Sequence, residues 1–295
     1  MRSISTLVVL LMVLMTMSPE SGAAGRITIG ESGDSWIDLG LLGQLHFSYS
    51  DELDVSTDFF LRRGRIILSG QIMDGIKFFV ETDNDNAGKN GGAAVGTDIQ
   101  DAFVDFRFIK NHKGEAWVKA GLVLLPFSFE NRSSAAGLLG IDYNVEAIKL
   151  PNSFVWRDYG IEFHGNITDK FAFFVGVFDG YDEPNSTKSP EAEFRFTGHI
   201  AVNVLGKAEN GWFFSQERLG KQGHYLSLGF GIDRQGKATR MEDSRGYWDV
   251  DSEAWVADLQ SGFVFSPISI TLNAGYYDYD NATFEGNTMF TEAGL

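Results

Sequence analysis

Between Ile37 and Tyr49 the chain alternates. Ile37, Leu39, Leu41, Gly43, Leu45, Phe47 and Tyr49 hold the odd positions, and Asp38, Gly40, Leu42, Gln44, His46 and Ser48 the even ones, with Leu42 the one apolar residue out of phase. Successive side chains of a strand point to opposite faces, so this period of two predicts a β-strand with one apolar and one polar face. A helix would repeat apolar residues at i, i+3 and i+4, which the run does not do. It also exceeds the roughly 5–6 residues of a common globular strand.

The pattern recurs along the chain. Ile76, Phe78 and Val80 oppose Lys77, Glu81 and Asp83; Ala102, Val104, Phe106 and Phe108 oppose Asp101, Asp105 and Arg107; Ala116, Val118, Ala120, Leu122 and Leu124 oppose Lys119. Further on, Phe194, Phe196, Ile200, Val202 and Val204 oppose Arg195, Thr197, His199 and Asn203, and Ile268, Ile270, Leu272, Ala274 and Tyr276 oppose Ser269, Thr271 and Asn273. About twelve strands can be counted.

The links have a rhythm of their own. Ser50 to Thr57 is medium, Met73 to Gly75 tight, Asn86 to Thr97 long, Ile109 to Gly114 short, Pro126 to Trp156 very long, Asn166 to Asp169 tight and Gly180 to Ala192 long. Gly206 to Gly223 breaks the rhythm; Arg234 to Ser252 is long, Ser266-Pro267 tight and Tyr279 to Gly286 medium. Long, tilted, alternating strands joined by alternately long and tight links predict an all-β fold, an antiparallel transmembrane β-barrel over residues 25–295. Aromatic residues gather near segment ends, as at Phe59-Phe60, Phe127 and Phe129, Trp156 and Tyr159, Trp212 to Phe214 and Tyr276-Tyr277. In a barrel they would mark the two headgroup levels. The alternative is a secreted soluble β-sandwich with the same period and its apolar faces inward, binding carbohydrate on Trp212, Trp248 or Trp255.

The N-terminus places either fold outside the cytoplasm. Arg2, an apolar run from Leu7 to Met15 and small residues at Gly22, Ala23 and Ala24 have the layout of a secretory signal peptide over residues 1–24. A spanning helix needs about 20 apolar residues, and no later stretch supplies them.

Composition changes the picture in three ways. An aromatic share of 14% and 34 glycines lean towards β structure. The chain has no cysteine, which suits passage through an oxidising periplasm. A net charge of −16 disfavours nucleic acid as a partner.

Four stretches then carry a resemblance: Phe59-Phe60-Leu61-Arg62-Arg63-Gly64-Arg65-Ile66-Ile67-Leu68-Ser69-Gly70; Gly121 to Ser134 with Pro126-Phe127-Ser128-Phe129-Glu130 at its centre; Arg157-Asp158-Tyr159-Gly160-Ile161-Glu162-Phe163-His164-Gly165; and Gly176-Val177-Phe178-Asp179-Gly180. In order and spacing they resemble the phosphate-selective porin O/P family of Gram-negative outer membranes. The resemblance implies a sixteen-stranded barrel, usually trimeric, of which this chain would be a C-terminally truncated form; a complete twelve-stranded barrel is the alternative. It implies an outer-membrane channel in lipid and lipopolysaccharide, passing small hydrophilic solutes or ions, with no cofactor and no enzyme activity. It also implies that the third outer loop, here Pro126 to Trp156, folds inward as a constriction.

The candidate pore-lining residues are Arg63, Arg65, Lys77, Glu81, Asp105, Arg107, Lys119, Arg157, Glu162 and Arg195 on strands, with Glu130 and Arg132 in the loop. Asn131, Asp142, Glu146 and Lys149 complete the loop's polar set. The family's phosphate selectivity is implied to rest on arginine and lysine ladders. Arg63 and Arg65 match the arginine-bearing strand, yet the loop has no lysine cluster, and Asp38, Glu81, Asp83, Asp101, Asp105, Glu162 and Asp258 at least balance the cations. Weak or mixed selectivity is therefore expected rather than phosphate specificity.

Other chemistry finds little support. His46, His112, His164, His199 and His224 lie far apart without a nucleophile motif. Asp83-Asn84-Asp85-Asn86 begins like a calcium loop, but Ala87 and Ala94 occupy positions that need ligands. Zinc would need cysteines or paired histidines.

Overall fold

The computed structural model describes residues 14–17, 25–31, 33–49, 57–92, 96–140, 142–144, 156–180, 189–206, 223–282 and 284–294. Apart from one 3-10 turn at Lys89–Gly91, their regular structure is all β. The strands are β1 Leu14–Met17, β2 Gly25–Ile29, β3 Ser35–Tyr49, β4 Thr57–Met73, β5 Ile76–Asp83, β6 Asp85–Ala87, β7 Asp98–Asn111, β8 Gly114–Leu124, β9 Arg157–Ile167, β10 Phe171–Phe178, β11 Arg195–Leu205, β12 Tyr225–Asp243, β13 Gly246–Phe265, β14 Ile268–Asp280 and β15 Glu285–Gly294. Setting aside the short β1, β2 and β6, twelve strands remain, the number read from the alternation. No helix among the described residues is long and apolar enough to cross a membrane, which does not bear on crossing by strands.

The chain divides into two compact units, Met1–Val104 and Asp105–Leu295. In the first, the strands are antiparallel in the order β1-β3-β4-β5-β7, with β2 also on β3 and β6 on β4. β1, inside the predicted leader, pairs Leu14 to Met17 against Gln44 to Leu41; the rest of the leader lies outside the described residues. On β4, Arg63 pairs with Gln44 but Leu61 with Leu45, so Arg62 is an extra residue in a bulge. One inserted residue reverses the phase of a period-two pattern. Before the bulge Asp58 and Phe60 are buried; after it Arg63, Arg65 and Ser69 are.

In the second unit the order is β7-β8-β9-β10-β11-β12-β13-β14-β15, each strand antiparallel to the next in the chain. Tight turns fall where expected, at His112-Lys113, Thr168 to Lys170 and Ser266-Pro267. The expected long loop at Arg234 to Ser252 is corrected: β12 and β13 run on as a paired hairpin to a Ser244-Arg245 turn, with Asp243 opposite Gly246. That arm mixes polar residues with Tyr247 and Trp248 on opposite faces, so it shows no clean alternation, and backbone pairing joins its two strands. Arg240 adds a two-pronged ion pair to Asp249, at 2.9 and 3.1 Å.

Burial is the reverse of a soluble sheet. On β3 the buried residues are Asp38, Gly40, Leu42, Gln44 and His46, while Leu39 and Leu41 are 52% and 51% exposed. On β11 Arg195, Thr197, His199 and Asn203 are buried and Phe196, Ile200, Val202 and Val204 exposed. On β12, Leu228, Phe230 and Ile232 are exposed, and Ser227, Asp233 and Gln235 are buried. Two corrections accompany the pattern. Ala116, Leu122 and Leu124 on β8 are buried, not exposed, and Phe60, Phe127, Phe129, Trp156 and Tyr277 belong to the buried side rather than to an outer aromatic level.

Candidate functional site

Buried charge lines the inner side of each unit. In the first, Arg65 reaches Glu81 at 2.6 Å and Asp83 at 2.8 Å, and Arg63 donates to Gln44 Oε1 at 2.7 Å. Asp38 accepts both prongs of Arg26, which lies 4.1 Å over the Trp36 ring. Asp83 is thus engaged by a guanidinium, and no cluster of potential metal ligands forms among the described residues. Lys77, of intermediate burial, stands on β5 opposite Gln71.

In the second unit Lys119 and Glu162 are register partners on β8 and β9, 2.7 Å apart. Arg195 grips Asp233 through Nε and Nη2 at 2.8 and 3.0 Å. His164 meets Asp105 and His199 meets Asp258, each at 3.0 Å. Arg107 lies 5.3 Å over Trp117, and Arg157 is buried at the start of β9. Burying single charges costs several kcal/mol each, which explains why Arg65, Lys119 and Arg195 each lie against a carboxylate.

Residues 125–140 and 142–144 lie on this charged side. Asn131 organises it: its Oδ1 accepts from Ser128 N at 2.6 Å, its Nδ2 donates to Leu125 O, and its own carbonyl accepts the Trp156 indole N–H at 2.9 Å. Tyr143 Oη returns to Ser133 O at 2.7 Å. Phe127 packs on Tyr277 and Tyr279, and Phe129 donates its backbone N–H to Asp258 at 2.7 Å. Arg132 lies 3.4 Å over the Phe174 ring, a cation–π stack in which the guanidinium face is covered.

Two loop charges are perturbed. Burial pushes the Glu130 carboxyl up to about 7, against a hydrogen bond from Asn144 N–H and with help from the nearby Glu292 charge. Burial lowers the Arg132 guanidinium to about 10, opposed by Glu162 and Asp258, so it stays charged at neutral pH. Asp142 accepts from Tyr143 N–H at 2.9 Å; Glu146 and Lys149 lie outside the described residues.

A sequence profile of the family described as phosphate-selective porin O and P matches residues 42–259. The chain belongs to that porin family. No curated protein and no solved structure matches it significantly. The porin family is one of β-barrel channels, with the outer membrane as its setting. Within that porin frame, the structure brings Glu130, Arg132 and Glu162 into one neighbourhood with Asp258, while Arg63 and Arg65 belong to the other unit.

Sequence reasoning missed Asp233, Phe174 and the floor of β12. On β12 the signal was present but thin, because glycines at 229 and 231 leave blanks on the polar side of the alternation Leu228, Phe230, Ile232.

Proposed function

We propose that this porin is a water-filled channel for small hydrophilic solutes or ions, with segment 125–144 as its constriction and weak, mixed charge selectivity. The observation that carries this is the inverted burial: charged residues lie inside and aliphatic ones outside on the same strands. Water would not stabilise an exterior of Leu39, Leu41, Phe163, Ile200 and Phe230, whereas lipid would. A carbohydrate-binding sandwich needs the opposite arrangement.

Selectivity follows from the charges. Among the described buried residues of the second unit, Asp105, Glu130, Asp158, Glu162, Asp233 and Asp258 outnumber Lys119, Arg132, Arg157 and Arg195. In the first, Asp38, Asp58, Glu81 and Asp101 outnumber Arg63 and Arg65. Arg63, Arg65, Lys119 and Arg195 each already face a carboxylate or an amide oxygen, and Arg132 lies over a ring. A phosphate would compete with those partners for each cation, so this reading does not extend to phosphate specificity. Export by the leader at residues 1–24, contact with lipid and lipopolysaccharide, and assembly as a homotrimer complete it.

Planar-bilayer recording tests the proposal. Discrete conductance steps are expected, with a small reversal potential of cation-selective sign in a salt gradient. A protein that is soluble without detergent and forms no steps would overturn it.

A further inference from the structure

We propose that the Asp258–His199 pair, seated across the glycines of β12, is the latch that positions the loop 125–144, and with it the bore of the channel. The inference rests on the reading of that loop as the constriction.

Asp258 stands on β13 and His199 on β11, with β12 between them. In register, Asp258 lies opposite Gly229 and His199 opposite Gly231, so the pair reaches diagonally over the intervening strand. A side chain at 229 would stand in the way: a Cβ there would overlap both Asp258 Oδ1 and His199 Nε2. Glycine at this position is what lets the two meet at 3.0 Å.

Both latch residues grip one loop residue. Asp258 Oδ2 accepts the Phe129 backbone N–H at 2.7 Å, while the Phe129 ring stands edge-on to the His199 imidazole, with centroids 4.8 Å apart. The two side chains are 2% and 0% exposed, so water does not compete for these contacts. His199 Nδ1 has no hydrogen-bond partner among the described residues. The tautomer with the proton on Nε2 fits, donating to Asp258 and leaving Nδ1 as the lone-pair nitrogen. Two residues earlier, the Phe127 carbonyl rests on Gly231, where a Cβ would overlap it. One glycine seats the latch and the other seats the loop.

The chain has no cysteine, so one introduced thiol reports cleanly on the loop. The probe is Ala135→Cys, at a buried loop position, labelled by a small methanethiosulfonate reagent in the full-length protein in lipid. Heat-modifiable migration confirms folding. Asp258→Ala and Gly229→Val should each raise the labelling rate about tenfold or more, as loss of a charged hydrogen bond implies, and raise single-channel conductance. Asp258→Asn keeps an oxygen for the Phe129 N–H and should restore much of the protection. If Asp258→Ala fails to insert, Asp258→Asn and Gly229→Ala carry the same test by partial exposure. Folded variants that label and conduct like the parent overturn the latch. Failure of the constriction reading is distinguishable: labelling would respond to the latch variants while Glu130→Gln and Arg132→Ala left the reversal potential unchanged.

Discussion

Lys119 Nζ lies 2.7 Å from Glu162 Oε1, and the two residues are exact register partners on adjacent strands. Both side chains are nearly inaccessible, at 4% and 2%. Neutralising Glu162 leaves Lys119 uncompensated near Arg132, whose charge Glu162 also supports, and neutralising Lys119 leaves Glu162 with Arg132 alone. Glu162→Gln should shift the reversal potential towards anions and Lys119→Met towards cations. The double variant should return close to the parent value, since the pair leaves together. Recordings in a potassium chloride gradient measure all three.

Glu130 supplies a pH dependence. Its carboxyl is raised from 4.5 to about 7 by burial, so the folded state binds the proton more tightly than the unfolded chain does. The sign follows: the loop is held best below about pH 4.5 and loses that contribution as pH rises through 7. Falling pH across 7 also removes a negative charge from the loop that we propose as the constriction. Cation preference should therefore decline between pH 8 and pH 6, with a midpoint near 7. The Glu130→Gln channel should show no such step in reversal potential.

Arg132 tests the phosphate question. Its guanidinium is buried against the Phe174 ring at 3.4 Å, near the Glu162 and Asp258 charges, and although Nη1 has no hydrogen-bond partner among the described residues it is shut off from solvent. Millimolar phosphate should leave chloride conductance unblocked. Saturable block, lost in Arg132→Ala, would restore phosphate recognition to this chain.

The outward face gives a stability prediction. Phe230 is 46% exposed on β12, between Leu228 and Ile232. Phe230→Arg should cost about 2–4 kcal/mol of folding free energy in lipid if the residue lies near mid-bilayer. Substitution at Arg234, near the base of the polar hairpin and already exposed, should cost far less. Urea-driven unfolding in lipid vesicles compares the two.

Legibility in the sequence followed the physics of alternation. Where one face meets an apolar surrounding and the other does not, as on β3 and β11, period two is written plainly and the strands were found with their facing correct. Where both faces are mixed, as in the outer arm of β12 and β13, the pattern vanishes and a paired hairpin reads as a loop. At Arg62 an extra residue reverses the phase, so an unbroken alternation run back from Arg65 and Arg63 would turn Phe60 outward, whereas it lies inward.

The loop shows the same division more sharply. Its length, the ordered motifs around Pro126 to Glu130 and the charges Glu130 and Arg132 are local properties of the chain, and the sequence alone sufficed to mark them. The partners could not be read there. Asp258 is 129 residues from Phe129, and His199 meets it only because β11, β12 and β13 lie side by side with glycine between. Strand facing is decided residue by residue, through which side chains tolerate lipid. The seating of the loop depends on register across three strands, and register exists only once the sheet has formed.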